Sequence, residues 1–245
     1  MKYIFINRDC DTERLSEFTH YNGHIKELER FSAIDGKSLN IEDLIAADVI
    51  ERDTFYTKGA IGSAMSHVTL WMAAAEKGTP VCIIEDDAIL CANFVAESDR
   101  IIKKLESEQN NNWDIILWGH NYDTSAAFNI GHDRVPAVAF FSQEDIVKNS
   151  TSFSNLTVTS HAFKLIQTLG ICGYTVSPQG AQKLLRRCIP IKKETFYHKQ
   201  LGKTLPGTSI DHVMSHHYAE LDAFVCLPPL CITKNDHATS TNING

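Results

Sequence analysis

The chain has 245 residues, 43% of them hydrophobic and 22% charged, the proportions of a globular protein able to bury a sizeable core. Its formal net charge of −7 argues against a general nucleic-acid binder, and no apolar run approaches the roughly 18 residues that a membrane-spanning helix needs. Seven cysteines without a C-x-x-C pair, most of them in apolar settings (Cys82, Cys91, Cys172, Cys226, Cys231), read as reduced core residues. With an opening segment that turns polar by residue 7, no secretory leader is expected, and the composition points to a cytosolic protein.

Residues 3–7 predict a first strand, and Asp11 is placed to cap a short helix with Leu15 and Phe18 on its inner face. A second strand is expected over 28–34, ending in the turn Ala33, Ile34, Asp35, Gly36, and a helix over 41–50. From 62 to 77, Met65, Val68, Met72 and Ala75 recur at helical spacing, with Ala64, His67 and Trp71 as an adjacent stripe. Gly78, Thr79 and Pro80 stop that helix and lead into an apolar strand from 81. A polar helix over about 93–108 and a strand over 113–118 repeat the theme. Residues 119–153 are rich in Asn, Asp, Ser and Gly and read as a long excursion that shapes a binding site.

Strands follow over 156–165 and 171–176, then Ser177 as N-cap and Pro178 at the first helical position. That helix points Ala181, Leu184 and Leu185 inward and closes on Arg186 and Arg187. A helix over 209–217 and a strand over 223–227 complete the pattern. Strands alternating with helices predict an α/β fold with a mainly parallel central sheet flanked by helices, in one domain spanning 1–245.

The most informative stretch is 81–91, where a buried strand runs into Glu85, Asp86 and Asp87. Like charges held together need a neutralising partner, and Mg²⁺ or Mn²⁺ suits them. The plainer alternative is a solvated turn or the cap of the next helix. In the tail, His237 follows Asn235 and Asp236, either as a further metal ligand or as an exposed tail residue. Asp211 lies three residues after Thr208, which fits a capping box, while a carboxylate at a cleft mouth would serve as a general base. His67 on an apolar helix face reads as a hydrogen-bonded core residue or a ligand. There is no P-loop, no G-x-G-x-x-G and no G-x-S-x-G elbow.

Four blocks in series resemble glycosyltransferase family 25. They are Ile6, Asn7, Arg8 with Glu13, Arg14, Leu15; then Ala33, Ile34, Asp35, Gly36; then residues 59–67 with Trp71, leading to Ile84, Glu85, Asp86, Asp87; and finally residues 173–181 followed by Ile210, Asp211, His212. The resemblance implies a GT-A type nucleotide-binding sandwich and an inverting, metal-dependent transfer of a hexose, galactose by preference, from a UDP-sugar. The acceptor implied is a lipooligosaccharide or another surface glycan. By the same resemblance Asp87 would ligate Mn²⁺ or Mg²⁺, with Glu85 and Asp86 beside the nucleotide, and His237 as a further metal ligand. Arg8, Arg14, Ala33 and Asp35 would surround the uridine, His67 and Trp71 would line or buttress the donor pocket, and Asp211 becomes the leading general base. Such an acceptor suggests work at the cytoplasmic face of the inner membrane, where the basic group Arg186, Arg187, Lys192 and Lys193 is placed to meet anionic lipid or simply to be a solvated helix end. A catalytically silent GT-A-like binding domain is the competing expectation. A sugar nucleotidyltransferase would use similar carboxylates, but the chain lacks its Gly-rich basic loop.

Overall fold

The computed structural model describes residues 1–108, 112–131 and 135–234. In chain order the first half comprises β1 (Lys2–Asn7), α1 (Thr12–Asn22), β2 (Leu28–Ser32), a 3₁₀ turn (Gly36–Ser38), α2 (Ile41–Ala46), α3 (Lys58–Lys77), β3 (Val81–Glu85), β4 (Ala88–Leu90), α4 (Phe94–Glu108) and β5 (Ile115–Gly119). The second half comprises β6 (Ser125–Ile130), β7 (Val135–Phe140), α5 (Gln143–Phe153), β8 (His161–Gln167), β9 (Gly173–Val176), α6 (Pro178–Cys188), β10 (Thr195–His198), β11 (Lys203–Pro206), α7 (Ile210–His217), β12 (Ala223–Leu227) and β13 (Cys231–Thr233).

Nine strands form the central sheet in the order β2-β1-β3-β9-β5-β12-β8-β6-β7. The expected mainly parallel sheet is not found: of its eight pairings only β1–β2, β1–β3 and β5–β12 are parallel, and five are antiparallel. Parallel neighbours need a crossover of a dozen or more residues, usually helical. Here β7 begins only five positions after β6 ends, and β9 is reached from β8 with no helix between them. The sheet is therefore mixed, and β9 runs against both its neighbours, β3 and β5.

Apolar residues cover both sheet faces, so helices pack on each. One face carries Ile83, Ile115, Leu117, Tyr174 and Val225 under α3, α6 and α7, and the other carries Phe5, Ile84, Ile116 and Trp118 under α1 and α4. On α3 the stripe that enters the core is Ala60, Ala64, His67, Val68, Trp71 and Ala74. Met72, which the sequence spacing also turned inward, is 57% exposed.

Other departures have local causes. The helix expected over 41–50 stops at Ala46, because Asp48 takes a left-handed φ of 56° and Ile50 then bridges to Ile191. The strand expected over 156–165 begins only at His161. Its leading residues lie along α4, where the side chains of Asn93 and Glu97 accept from the Val158 and Ser160 amides. The excursion over 119–153 supplies β6 and β7 to the sheet edge and then α5.

The turn after β2 is locked onto the start of α3 by backbone contact. A Cβ on Gly36 would lie 1.7 Å from the Lys58 carbonyl oxygen, and one on Gly62 would lie 2.4 Å from the Gly36 nitrogen. Ser66 completes the seam, since its hydroxyl donates to the Gly62 carbonyl and accepts from the Ile34 amide, both at 2.9 Å. Backbone cannot yield as a flexible side chain can. Gly62→Ala and Gly36→Ala should each lower unfolding free energy by about 2 kcal/mol or more in urea titrations, whereas Gly78→Ala, in open space at a helix end with φ 65°, should cost only about 1 kcal/mol.

Candidate functional site

Because β2, β1 and β3 are parallel, their carboxyl ends open at one edge, with Ile6 level with Glu85 and Asn7 level with Ser32. The start of β9 joins the same edge, since the Glu85 amide donates to the Cys172 carbonyl at 3.0 Å. Ligands of open α/β sheets are taken at this end of the strands. Three carboxylates emerge there, and each meets a different neighbour.

Glu85 accepts at Oε1 from His67 Nε2 at 2.7 Å. The same imidazole faces the Tyr174 hydroxyl through Nδ1 at 2.8 Å, and that hydroxyl accepts from Trp71 Nε1 at 2.8 Å. Asp86 is buried and fully engaged: Asn7 Nδ2 donates to one oxygen at 2.7 Å, and Arg14 binds the other through both Nε and Nη2. Burial alone would lower the Arg14 pKa, but the Asp86 hydrogen bonds and the charges of Asp86, Asp87 and Glu85 raise it.

Asp87 is the open member, 39% exposed with Arg14 Nη2 4.0 Å away. Desolvation at the cleft floor, reinforced by the charges of Glu85 and Asp86, pushes its carboxyl from 3.8 up to about 6, against the pull of Arg14 and of the Thr233 hydrogen bond.

The cleft has two chambers with Arg14 and Asp86 as their shared wall. The first is lined by Arg8, Ala33, Gly36, Ser63 and Glu85, the second by Glu13, Glu17, Tyr21, Asp87 and Lys234. Arg8 is held in place by a bidentate pair with Asp11 at 2.7 and 2.9 Å, which also draws the Asp11 pKa down. In the second chamber Lys234 pairs with Glu17 at 2.6 Å over the Tyr21 ring.

The structure thus brings Arg8, Arg14, Ala33, Glu85, Asp86 and Asp87 to one cleft. His67 and Trp71 are buried behind it rather than lining it. Asp35 turns its side chain back onto the Lys37 amide at 3.0 Å, beside the cleft but not in its wall. His237 lies outside the described residues.

Asp211 lines neither chamber. It begins α7, accepting from the Ser209 hydroxyl and, at 3.1 Å, from the Gly170 amide. No Ser209 side-chain bond caps that helix, and Thr208 turns to His212 instead, so the capping-box expectation fails. The acid is spent on joining α7 to the loop that precedes β9, two residues before Cys172 at the cleft edge.

Sequence reasoning missed Asn7, Tyr174 and Lys234 as site residues. The alternation of β9 carried a signal for Tyr174, since it stands level with Ile83 on the α3 side of the sheet. A wide depression of about 760 Å³ between α4 and strands β8 and β12 contains none of the expected residues. Its Arg100 and Lys164 are already paired with Glu97 and Asp222 at 2.6 Å. Of the basic group near α6, Arg187 pairs with Glu220, Lys192 lies 3.8 Å from Glu194 and Lys193 is 3.0 Å from Asp53, so local acids largely neutralise it.

For a divalent cation the donor set is narrow. Among the described residues no cluster of three or more His, Cys, Asp or Glu side chains is arranged to hold one. With Asp86 given to Arg14 and one oxygen of Glu85 given to His67, Asp87 is the most exposed carboxylate of the three. That fits a Mg²⁺-type ion held by one protein carboxylate and completed by substrate phosphates and water.

A polar, two-chambered cleft at the strand ends, walled by Arg8, Arg14 and the carboxylates of Glu85, Asp86 and Asp87, defines an α/β protein built to take a polar ligand. The chain belongs to glycosyltransferase family 25, described as LPS biosynthesis protein, whose family model matches residues 1–214. It is 33% identical over 115 residues to a putative glycosyltransferase of Acanthamoeba polyphaga mimivirus, covering 44% of this chain and 35% of that protein. It is 26% identical over 209 residues to procollagen galactosyltransferase 1 of Danio rerio, covering 81% of this chain and 30% of that one. A probable inactive glycosyltransferase 25 family member 3 of Bos taurus is 28% identical over 96 residues, 36% of this chain and 16% of its own length. The chain therefore spans about a third of the first two of these relatives.

A carboxyl whose folded pKa of about 6 lies above its ordinary 3.8 favours the fold while protonated and loses that contribution as pH rises through 6. In metal-free buffer Asp87→Asn should therefore melt higher than wild type at pH 7.5, by up to about 1 kcal/mol after solvent screening. The gain should vanish near pH 4, as thermal melts across that range will show.

Proposed function

We propose that this chain is a GT-A type glycosyltransferase unit that moves a hexose from a UDP-sugar to an acceptor hydroxyl. Family membership supports the reaction class. The observation that carries the reading is the open carboxylate of Asp87 beside Arg14 at the sheet's carboxyl edge, with Arg8 and Ala33 lining the adjoining chamber.

In this reading the first chamber takes the uridine and ribose between Arg8, Ala33 and Glu85, and the diphosphate crosses the Arg14–Asp86 wall toward Asp87. Mn²⁺ or Mg²⁺, when bound at Asp87, would supply charge neutralisation for the diphosphate. Arg14, fixed by Asp86, adds a permanent positive charge where negative charge grows on the departing UDP. A single inverting displacement needs one base, and Asp211 is the carboxylate assigned to it, one loop away from Glu85 through Gly170 and Cys172. That role asks Asp211 to give up Ser209 or Gly170 when the acceptor hydroxyl arrives. Galactose is the preferred sugar, in line with the name of the Danio rerio relative. The acceptor is a lipooligosaccharide or similar glycan, in line with the family description, which would set the work at the cytoplasmic face of the inner membrane. The second chamber and the segment over 119–153 form the acceptor side.

One observation favours a second reading, a silent nucleotide- or glycan-binding domain. Asp86 has both oxygens engaged by the protein, Glu85 has one, and a relative is named as probably inactive.

The two readings separate in a panel of UDP-sugars assayed for UDP release with Mn²⁺ or with chelator. Wild type should release UDP from one donor in the presence of Mn²⁺ and acceptor glycan, and Asp87→Ala should lose at least about 100-fold of that rate. Asp211→Asn should keep UDP binding within about twofold and lose transfer by roughly 100-fold or more. Binding without turnover across all donors and acceptors would establish the silent domain instead.

A further inference from the structure

The Trp71–Tyr174–His67–Glu85 chain has a direction, and the direction follows from what each group can donate. An indole N–H only donates, so Tyr174 accepts from Trp71. Tyr174 then has one proton left, and burial keeps its phenol protonated by holding its pKa well above the ordinary value. His67 Nδ1 lies 2.8 Å away and must accept that proton, so the imidazole hydrogen sits on Nε2 and goes to Glu85 Oε1 at 2.7 Å. A hydrogen on Nδ1 would strand the Tyr174 proton without an acceptor in a fully buried site, where an unpaired donor is costly. His67, Trp71 and Tyr174 are all within 1% of full burial, so water offers no other route.

We infer that this buried chain positions Glu85 as an acceptor for a sugar hydroxyl of the ligand, with His67, Tyr174 and Trp71 as positioning residues. Oε1 is occupied by His67, and Glu85 lines the first chamber with 28% of its side chain exposed. Its second oxygen, Oε2, makes no hydrogen bond to a described residue. With a donor already on Oε1 and Arg14 spent on Asp86, Oε2 is set to receive a hydrogen rather than to give one. The matching group on a nucleotide-sugar is a hydroxyl, on the ribose or on the hexose. The inference rests on the nucleotide-sugar reading above, but the tautomer does not.

Two measurements test it on the full chain. In ¹H–¹⁵N long-range spectra, wild-type His67, assigned by comparison with His67→Gln, should show a protonated Nε2 and a bare Nδ1. Trp71→Phe leaves Nδ1 as the acceptor for the Tyr174 proton and Glu85 as the acceptor for Nε2, and should keep the wild-type tautomer. A hydrogen on Nδ1 in the wild-type spectrum, alone or together with one on Nε2, would overturn the directed chain.

Binding is then measured by calorimetry with UDP, 2′,3′-dideoxy-UDP and a UDP-hexose, for wild type, His67→Ala and Tyr174→Phe, with melting curves to verify folding. The variants should lose about 5- to 30-fold in affinity for the ligand that carries the hydroxyl. A loss with UDP that is absent with the dideoxy compound supports the role and assigns the ribose. A loss confined to the UDP-hexose supports it and assigns the hexose. No loss, or an equal loss with all three ligands, overturns the role for Glu85. Wild type that binds none of them refutes the nucleotide-sugar reading itself, a result distinct from normal wild-type binding with unaffected variants.

Discussion

Three adjacent negative charges at the end of a buried strand are the constraint on which this edge of the molecule is built. Such charges repel, and each must find its own compensation or remain protonated. Glu85 receives an imidazole from α3, and Asp86 receives an amide from β1 and a guanidinium from α1. Asp87, last in line, is left facing the cleft, with its carboxyl pushed toward neutrality by desolvation first and then by the charges of Glu85 and Asp86. Compensation of the first two therefore ties together the elements that surround the third.

The strength of these ties differs from that of ordinary surface pairs. Lys2–Glu29 and Arg52–Glu42 are more than half exposed on both sides, where solvent screens most of their attraction. Arg14–Asp86 is set deeper, with Asp86 at 8% exposure and both its oxygens engaged, and charge-assisted bonds of this kind contribute about 1.5–3 kcal/mol. Breaking it would strand a buried carboxylate, so the wall between the two chambers is a fixed feature of the cleft. The glycine contact between the Gly36 turn and α3 serves the same end, since it sets the height of the helix that delivers His67.

Much of this was legible beforehand where chemistry is local. The carboxylate triplet, the Ala33–Gly36 turn, the Ser177–Pro178 helix start and the periodicity of α3 all lie within a few residues, and local sterics or spacing decide them. Long-range direction was not legible. Nothing within β9 says that it enters antiparallel between β3 and β5, because pairing partners are chosen by topology and not by the strand's own composition. The spacing of α3 permitted two apolar stripes, and it was the sheet face, where Tyr174 of β9 accepts from the indole, that took Trp71 in and left Met72 out. Asp211 matched a capping pattern, but the Gly170 amide, forty-one residues away in the chain, took its carboxylate.

The sequence by itself determined that this is an α/β protein of glycosyltransferase family 25, that an apolar strand ends in Glu85, Asp86 and Asp87, and that arginines at 8 and 14 follow the first strand. The tertiary structure alone decided how far each of the three acids is open to the cleft. Their covalent neighbourhoods are nearly the same, and what separates them is distance to groups that arrive from β1, α1, α3 and β9. Electrostatic compensation falls off within a few ångströms, so it is set by the fold's geometry and not by order along the chain.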